Sequence, residues 1–333
     1  MTKKAEKAIG IDIGTYALKM VELYRSKNES RLTGFAYARI EDASPESLIE
    51  MIKKLSRDSM LSAKDVNAAV SGSQVITRFV NMPAMSDAEI ASALTFEVEK
   101  NVPFERDEVV YDYEIMERDK DRKSTILLAA AKKDNIDRCI KIIGSAGFSL
   151  KTIDVDSFAL ANAFIKNLAS RLDPGRTAAL LNIGAKFTNL NILCGQTLSF
   201  SRDIQLGGND IDETISRVLG LDVRAAEAVK QKPEEHRDAV GAPIRTVLAG
   251  LADEIRLSFG YFENRFGRGV DDIYVSGGSS NLTGLPEFLK EGLGAEIVLW
   301  DPISALTTNE HDAAGIPIQT RRALAVSVGL ALR

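Results

Sequence analysis

The chain has 333 residues, a formal net charge of -5, 45% hydrophobic and 27% charged residues, a balance that excludes long disordered tails and offers no basic patch for nucleic acid. Its length exceeds what one core usually supports, so two domains of roughly 150 residues each are expected. The longest apolar runs, "ILLAAA" from Ile126 and "ALAVSVGLAL" near the C-terminus, fall far short of the roughly 20 residues of a membrane-spanning helix. The N-terminus "MTKKAEKAIG" lacks the apolar stretch of a signal peptide, so the expected location is the cytoplasm.

The first element, Ala8 to Val21, reads "AIGIDIGTYALKMV": an apolar strand, a tight turn at Gly14, and a second strand. It has a copy. "LNIGAKFTNLN" from Leu181 matches "IDIGTYALKMV" from Ile11 at one constant offset, placing Gly14 over Gly184 and Leu18 over Thr188. That offset is half the chain, and two similar domains that each open with a hairpin are its simplest explanation. Ser44 and Pro45 predict a helix start, with Leu48, Ile52 and Leu55 on one face. Ser86 and Glu89 form a capping box before Ile90, Leu94 and Val98, and "NVPF" ends that helix at Pro103. The strand-like runs "VVYDYEIM" and "STILLAAA" follow, joined by "ERDKDRK". Asp134 is expected to start another helix with Ile136, Ile140 and Ile143 on one side and Gly147 at its end. The β-α-β-β-α-β order from Val75 to Ile153 suggests a subdomain inserted in the first half, and Val247, Leu251, Ile255 and Phe259 mark a long helix in the second. Cys139, Cys194, His236 and His311 are too few and too scattered for a zinc site, and both histidines read as solvated loop residues.

Asp12, at a strand end beside a glycine turn, can hold a hydrated magnesium ion. Backbone N–H groups freed by Gly14 and Thr15 can cradle phosphate oxygens, and Lys19 on the returning strand can add a point positive charge. Most strand lysines simply face outward, and spacing alone leaves that alternative open for Lys19. In "DDIYVSGGSSNLTGLPEFL" a strand ends at Gly277 and Gly278 and enters a helix past Ser279 and Ser280, an arrangement that lets a flat ligand approach the backbone. Neither glycine turn has the G-x-G-x-x-G pattern, which disfavours a dinucleotide Rossmann site.

Taken together, "IDIGTYALK", "LLNIGAKFTNLN" and "IYVSGGSSNLTGLPEFL" resemble the actin-like ATPase fold shared by actin, Hsp70, sugar kinases and FtsA. Within it the chain is similar to the PilM family of type IV pilus assembly proteins. That likeness also covers "VNMPAMSDAEIASALTFEVEKNVPFERDEVVYDY", "SFSRDIQLGGNDIDETIS", "EIRLSFGYFE" and "ALAVSVGLALR". The resemblance implies an α/β protein of two ribonuclease-H-like domains with ATP and magnesium in the cleft between them. Residues 1–165 with 320–333 would form the first domain, carrying the insert 75–153. Residues 166–319 would form the second, with a helical subdomain at 209–266. Asp12, Gly14, Thr15, Tyr16 and Lys19 would make the first phosphate loop, with magnesium on Asp12 through water. Asn182, Gly184, Ala185 and Lys186 would make the second. Gly277, Gly278 and Ser279 would lie against the adenosine, and Gly207, Gly208, Asp210, Glu254 and Ser258 along the base and ribose. The resemblance further implies a cytoplasmic adaptor, recruited to the inner membrane by binding the N-terminal cytoplasmic peptide of a PilN-like protein, with pilus motor ATPases and self-association as further contacts.

The second phosphate loop of this family usually carries an aspartate where this chain has Asn182, and an amide offers neither a base nor a charged metal ligand. Weak or absent hydrolysis is therefore expected. Asp154 or Asp156, in "TIDVDSFA", could supply a base or simply cap the next helix. Three rivals stand beside the adaptor reading: a small-molecule kinase of the same fold, a filament-forming protein like FtsA, and a scaffold without nucleotide. The kinase lacks a strong base, FtsA-like tethers end in an amphipathic helix that "GLALR" does not offer, and retained Asp12 and Lys19 speak against the bare scaffold.

Overall fold

The computed structural model describes residues 6–27, 29–118, 123–168, 173–232, 236–307 and 315–333. His311 and the middle of the charged turn "ERDKDRK" lie outside them; His236 is exposed.

The repeat in the sequence is a repeat in topology. The strands β1 (Glu6–Ile13), β2 (Ala17–Arg25) and β3 (Ser30–Arg39) form an antiparallel meander, extended by the parallel strands β4 (Asp65–Val70) and β8 (Ser149–Val155) in the order β3-β2-β1-β4-β8. The second half repeats it with β9 (Thr177–Ile183), β10 (Thr188–Cys194), β11 (Thr197–Ile204), β12 (Asp272–Ser276) and β13 (Ile297–Leu299), in the order β11-β10-β9-β12-β13. Register matches as well: Asp12 lies opposite Lys19 in one hairpin and Asn182 opposite Asn189 in the other. The central strands read as apolar runs because helices cover both faces; Ile9, Ile11, Leu181 and Val275 are fully buried.

Between β4 and β8 the chain forms a third sheet, β5-β7-β6, from β5 (Val75–Pro83), β6 (Val109–Arg118) and β7 (Lys123–Lys132). Helix α2 (Asp87–Asn101) covers it, starting at the Ser86/Glu89 capping box and burying Ile90, Leu94 and Val98 against Ile126 and Leu128. It stops at Val102, since the residue before Pro103 is pushed out of helical geometry. The insert is shorter than the expected 75–153. It ends at Lys132, because Phe148, Leu150 and Ile153 belong to the first core and β8 pairs with β4.

Helix α1 (Pro45–Asp58) begins at the Ser44 cap and buries Leu48 and Ile52. It packs on α3 (Lys133–Ser145), which starts one residue before Asp134, so Asp134 sits in the first turn. The buried stripe of α3 runs through Cys139, Ile142 and Ile143, which turns Ile140 outward at 49% exposure and corrects the expected face. Gly147 closes that helix with φ 88°, a conformation only glycine adopts without strain. Helix α4 (Asp156–Leu168) runs between the two large sheets, touching β8, β4 and β10. In the second half α5 (Gly208–Leu219), α6 (Val223–Gln231), α7 (Arg237–Phe266) and α8 (Leu285–Leu293) cover the sheet, with Leu248, Leu251, Ile255 and Phe262 in its core. Val247 and Phe259 line the edge of that core.

The chain then returns. After α9 (Ile318–Ala323), helix α10 (Ala325–Ala331) is buried along its whole length between α4 and β1. It can lie this close because a Cβ on Gly329 would fall 1.8 Å from the Ala159 carbonyl oxygen. Burying residues such as Val328 and Leu330 is worth roughly 1.5–3 kcal/mol each, so the C-terminal segment is structural.

Candidate functional site

The two hairpin turns face each other across a cavity of about 510 Å³, within the usual range for a small-molecule site. Each turn closes the same way: the Gly14 N–H donates to the Ala17 carbonyl at 3.1 Å and the Gly184 N–H to the Phe187 carbonyl at 3.0 Å. The start of α5 is tied to the second turn, Gly208 N–H reaching Gly184 at 2.9 Å and Asn209 N–H reaching Ala185 at 2.7 Å. Ser279 donates to the Gly184 carbonyl at 2.8 Å, bringing the end of β12 to the same place. Gly277 lets it do so: its φ is 93°, and a Cβ there would meet the Ile183 backbone at 2.4 Å.

Of the residues singled out by sequence, Asp12, Gly14, Thr15, Tyr16, Lys19, Asn182, Gly184, Ala185, Lys186, Gly208, Gly278, Ser279 and Asp156 line this cavity. Gly207, Asp210 and Gly277 stand behind the wall and shape it, Asp210 accepting from the Gly207 N–H at 2.8 Å. Glu254 and Ser258 do not belong. They project from α7 to Arg202 of β11, at 2.6 and 2.9 Å, outside the cavity lining. Asp154 is also elsewhere, buried in an ion pair with Arg333 at 2.6 Å. Neither acid caps a helix through the expected bond: Asp154 accepts from the Val155 N–H and Asp156 from the Ser157 N–H.

The paired positions carry different chemistry. In the first hairpin Lys19 donates to Asp12 at 2.5 Å, an ion pair with both side chains mostly buried. In the second, Asn182 donates to the Asn189 side-chain oxygen at 3.1 Å. The Asn189 amide nitrogen in turn donates to Asp156 at 3.2 Å and to Asp203 at 2.7 Å. Burial first, then the charges of Asp203 and Asp12, hold the Asp156 carboxyl well above the usual carboxylate range. Burial also raises Asp203. Among the described residues no three metal-ligating side chains converge, so a cation here would need ligands from a bound molecule.

Sequence reasoning missed the α6 wall. Lys230 pairs with Asp212 at 2.7 Å, both residues lining the cavity, and the other Asp212 oxygen is buried without a partner among the described residues. Glu227, also buried, faces Tyr16 and Arg39 of the first half. The available signal was a glutamate on the inward, alanine-bearing face of a short amphipathic helix. Asn189 was legible too, since it holds in the second copy the place that Lys19 holds in the first.

Two ribonuclease-H-like sheets joined through α4 and facing each other over paired glycine hairpins define an actin-like fold. The sequence profile of the family described as type IV pilus assembly protein PilM matches residues 10–333, and the chain belongs to that family. A solved PilM–PilN type IV pilus biogenesis complex contains a chain 30% identical to this one, with 98% of each chain covered and a TM-score of 0.89. The ethanolamine utilization protein EutJ of Carboxydothermus hydrogenoformans shares the fold, at 15% identity, 100% and 91% coverage and a TM-score of 0.60. Component A of the (R)-2-hydroxyglutaryl-CoA dehydratase of Acidaminococcus fermentans matches at 12% identity, 98% and 96% coverage and a TM-score of 0.50. No helix among the described residues is long and apolar enough to cross a membrane.

Proposed function

We propose that this protein is a nucleotide-binding adaptor of type IV pilus assembly. It holds ATP with magnesium between its halves and binds the N-terminal cytoplasmic segment of a PilN-like inner-membrane protein beside the three-stranded sheet, acting on the cytoplasmic side of that membrane. The observation that carries the reading is the 30% identity to a chain of the PilM–PilN complex over 98% of both chains. The cavity supports the nucleotide part. Two backbone hairpins with Lys19 and Lys186 suit phosphates, and the Lys230–Asp212 pair in the cavity lining offers polar groups to the hydroxyls of a nucleoside. Magnesium would be held by the phosphates and by Asp12 through water.

The same geometry argues against turnover. Hydrolysis needs a group that accepts a proton from water. Asn182 is neutral, and burial with neighbouring carboxylates raises Asp156 well above the usual carboxylate range, which disfavours its charged, base form. The three-stranded sheet supports the partner part: among the described residues β6 pairs only with β7 and leaves its other edge without a strand partner, the kind of edge an extended peptide can join. A synthetic N-terminal peptide of a PilN-like protein, titrated into the protein by fluorescence anisotropy, should saturate in the micromolar range. No binding at several hundred micromolar removes the adaptor reading.

A further inference from the structure

From the cavity lining, at Tyr16 and Glu227, a row of alternating charges runs out to the exposed Glu41 and Arg224 and joins the two halves. From the first half, Arg39 at the end of β3 donates to one Glu227 oxygen at 2.7 Å, and the Tyr16 hydroxyl donates to the other at 2.7 Å. Arg39 also pairs with Glu41 at 3.2 Å, and Arg224 of α6 reaches Glu41 at 2.7 Å. The guanidinium of Arg39 lies over the Tyr16 ring at 4.9 Å, a cation–π contact that fixes its direction. The order is therefore Glu227, Arg39, Glu41, Arg224, with both ends on one face of α6 and the middle on the other half.

Its members are unequal. Arg224 and Glu41 are exposed, at 78% and 59%, and an ion pair of that kind is worth little. Glu227 is 7% exposed with both oxygens engaged across the gap, so separating the halves strips a buried carboxylate of charge-assisted partners. Burial and the Glu227 contact push the Tyr16 hydroxyl up to about 12, so it remains a donor throughout the physiological range. Sliding α6 by one turn would bring Arg224 to Arg39, like charge against like. The contact fits one register only.

We infer that Glu227, Tyr16 and Arg39 form a latch between the halves at the cavity, and that its opening sets the rate at which a nucleotide enters and leaves. This rests on the nucleotide reading of the cavity and adds its regulation: the latch controls exchange, whereas affinity depends on the loops beneath it. A cross-link that merely stabilises the fold predicts no such kinetic role.

The test uses Arg39→Gln, which lies outside the cavity lining. Uptake and release of a fluorescent N-methylanthraniloyl ATP are followed by stopped flow, with both rates expected to rise about tenfold, equivalent to about 1.4 kcal/mol of barrier, while Kd stays within about threefold. Raising salt should accelerate wild type and leave R39Q nearly unchanged. A second arm needs no nucleotide: spin labels at E46C and V218C, both at exposed positions in opposite halves, report the gap by pulsed dipolar spectroscopy. R39Q should add a longer-distance population. Unchanged distances refute the latch even if no nucleotide binds, and changed distances with unchanged exchange rates refute its control of exchange.

Discussion

Replacing Asn182 with aspartate would restore the acidic residue expected at the second hairpin, and the structure says that it should harm this protein. The Asn182 amide donates to the Asn189 side-chain oxygen at 3.1 Å. Asn189 cannot turn its amide to help, because its nitrogen serves Asp156 and Asp203 together and a flip would abandon two acceptors for one. Asn182→Asp thus sets oxygen against oxygen and adds a charge beside two buried carboxyls. Loss of one hydrogen bond costs about 1 kcal/mol, and an unsatisfied buried acceptor adds about 1–3 kcal/mol, so a net loss of about 2–4 kcal/mol is expected. The cure is written in the first hairpin, where lysine occupies the matching place. Adding Asn189→Lys should recover about 2 kcal/mol as a coupling energy, because an ammonium can serve the new aspartate and the two old ones. Urea unfolding of wild type, both single variants and the double variant at pH 7.5 measures this. Additive single effects would refute the reasoning, as would an N182D loss below about 0.5 kcal/mol, the size of an ordinary surface substitution.

Asp156→Asn should stabilise the protein at neutral pH. The folded-state pKa of Asp156 is raised, so the wild type loses stability as pH climbs from about 4, the unfolded carboxylate value, toward the folded value, at about 1.4 kcal/mol per unit of displacement. The gap between variant and wild type should therefore be small below pH 4 and grow above it, which thermal melts across pH will show. Arg333→Ala removes the ion partner of Asp154, whose side chain is 3% exposed, and should cost about 2–3 kcal/mol in urea, discounted because Arg333 itself is partly solvated. Gly329→Ala drives a methyl into the Ala159 carbonyl and should lower stability by about 3 kcal/mol, read as a drop in melting temperature of several degrees.

The parts of the site that came from one continuous stretch were readable in advance. Asp12, Gly14 and Lys19 lie close together in the chain, and apolar runs flanking a glycine announce their hairpin. The matching stretch from Leu181 made the second hairpin visible by repetition alone. What escaped depends on distant elements meeting. Glu227 and Arg39 belong to opposite halves of the chain, and only the closure of α6 over β3 brings them together. Glu254 and Ser258 lie outside the cavity lining for the opposite reason: their face of α7 meets Arg202 of β11. The β-α-β-β-α-β order from Val75 was correct as an order, yet strand order does not say which sheet a strand joins, and β8 found its apolar partners in the first core.

A nucleotide-binding adaptor must take its nucleotide through the first hairpin. Isothermal titration of magnesium–ATP into protein freed of bound nucleotide, repeated with Asp12→Asn, decides this. One saturable site, weakened about tenfold or more by D12N, a change of at least about 1.4 kcal/mol, is the predicted result. No saturable heat in the wild type, or equal affinity in the two proteins, would contradict it.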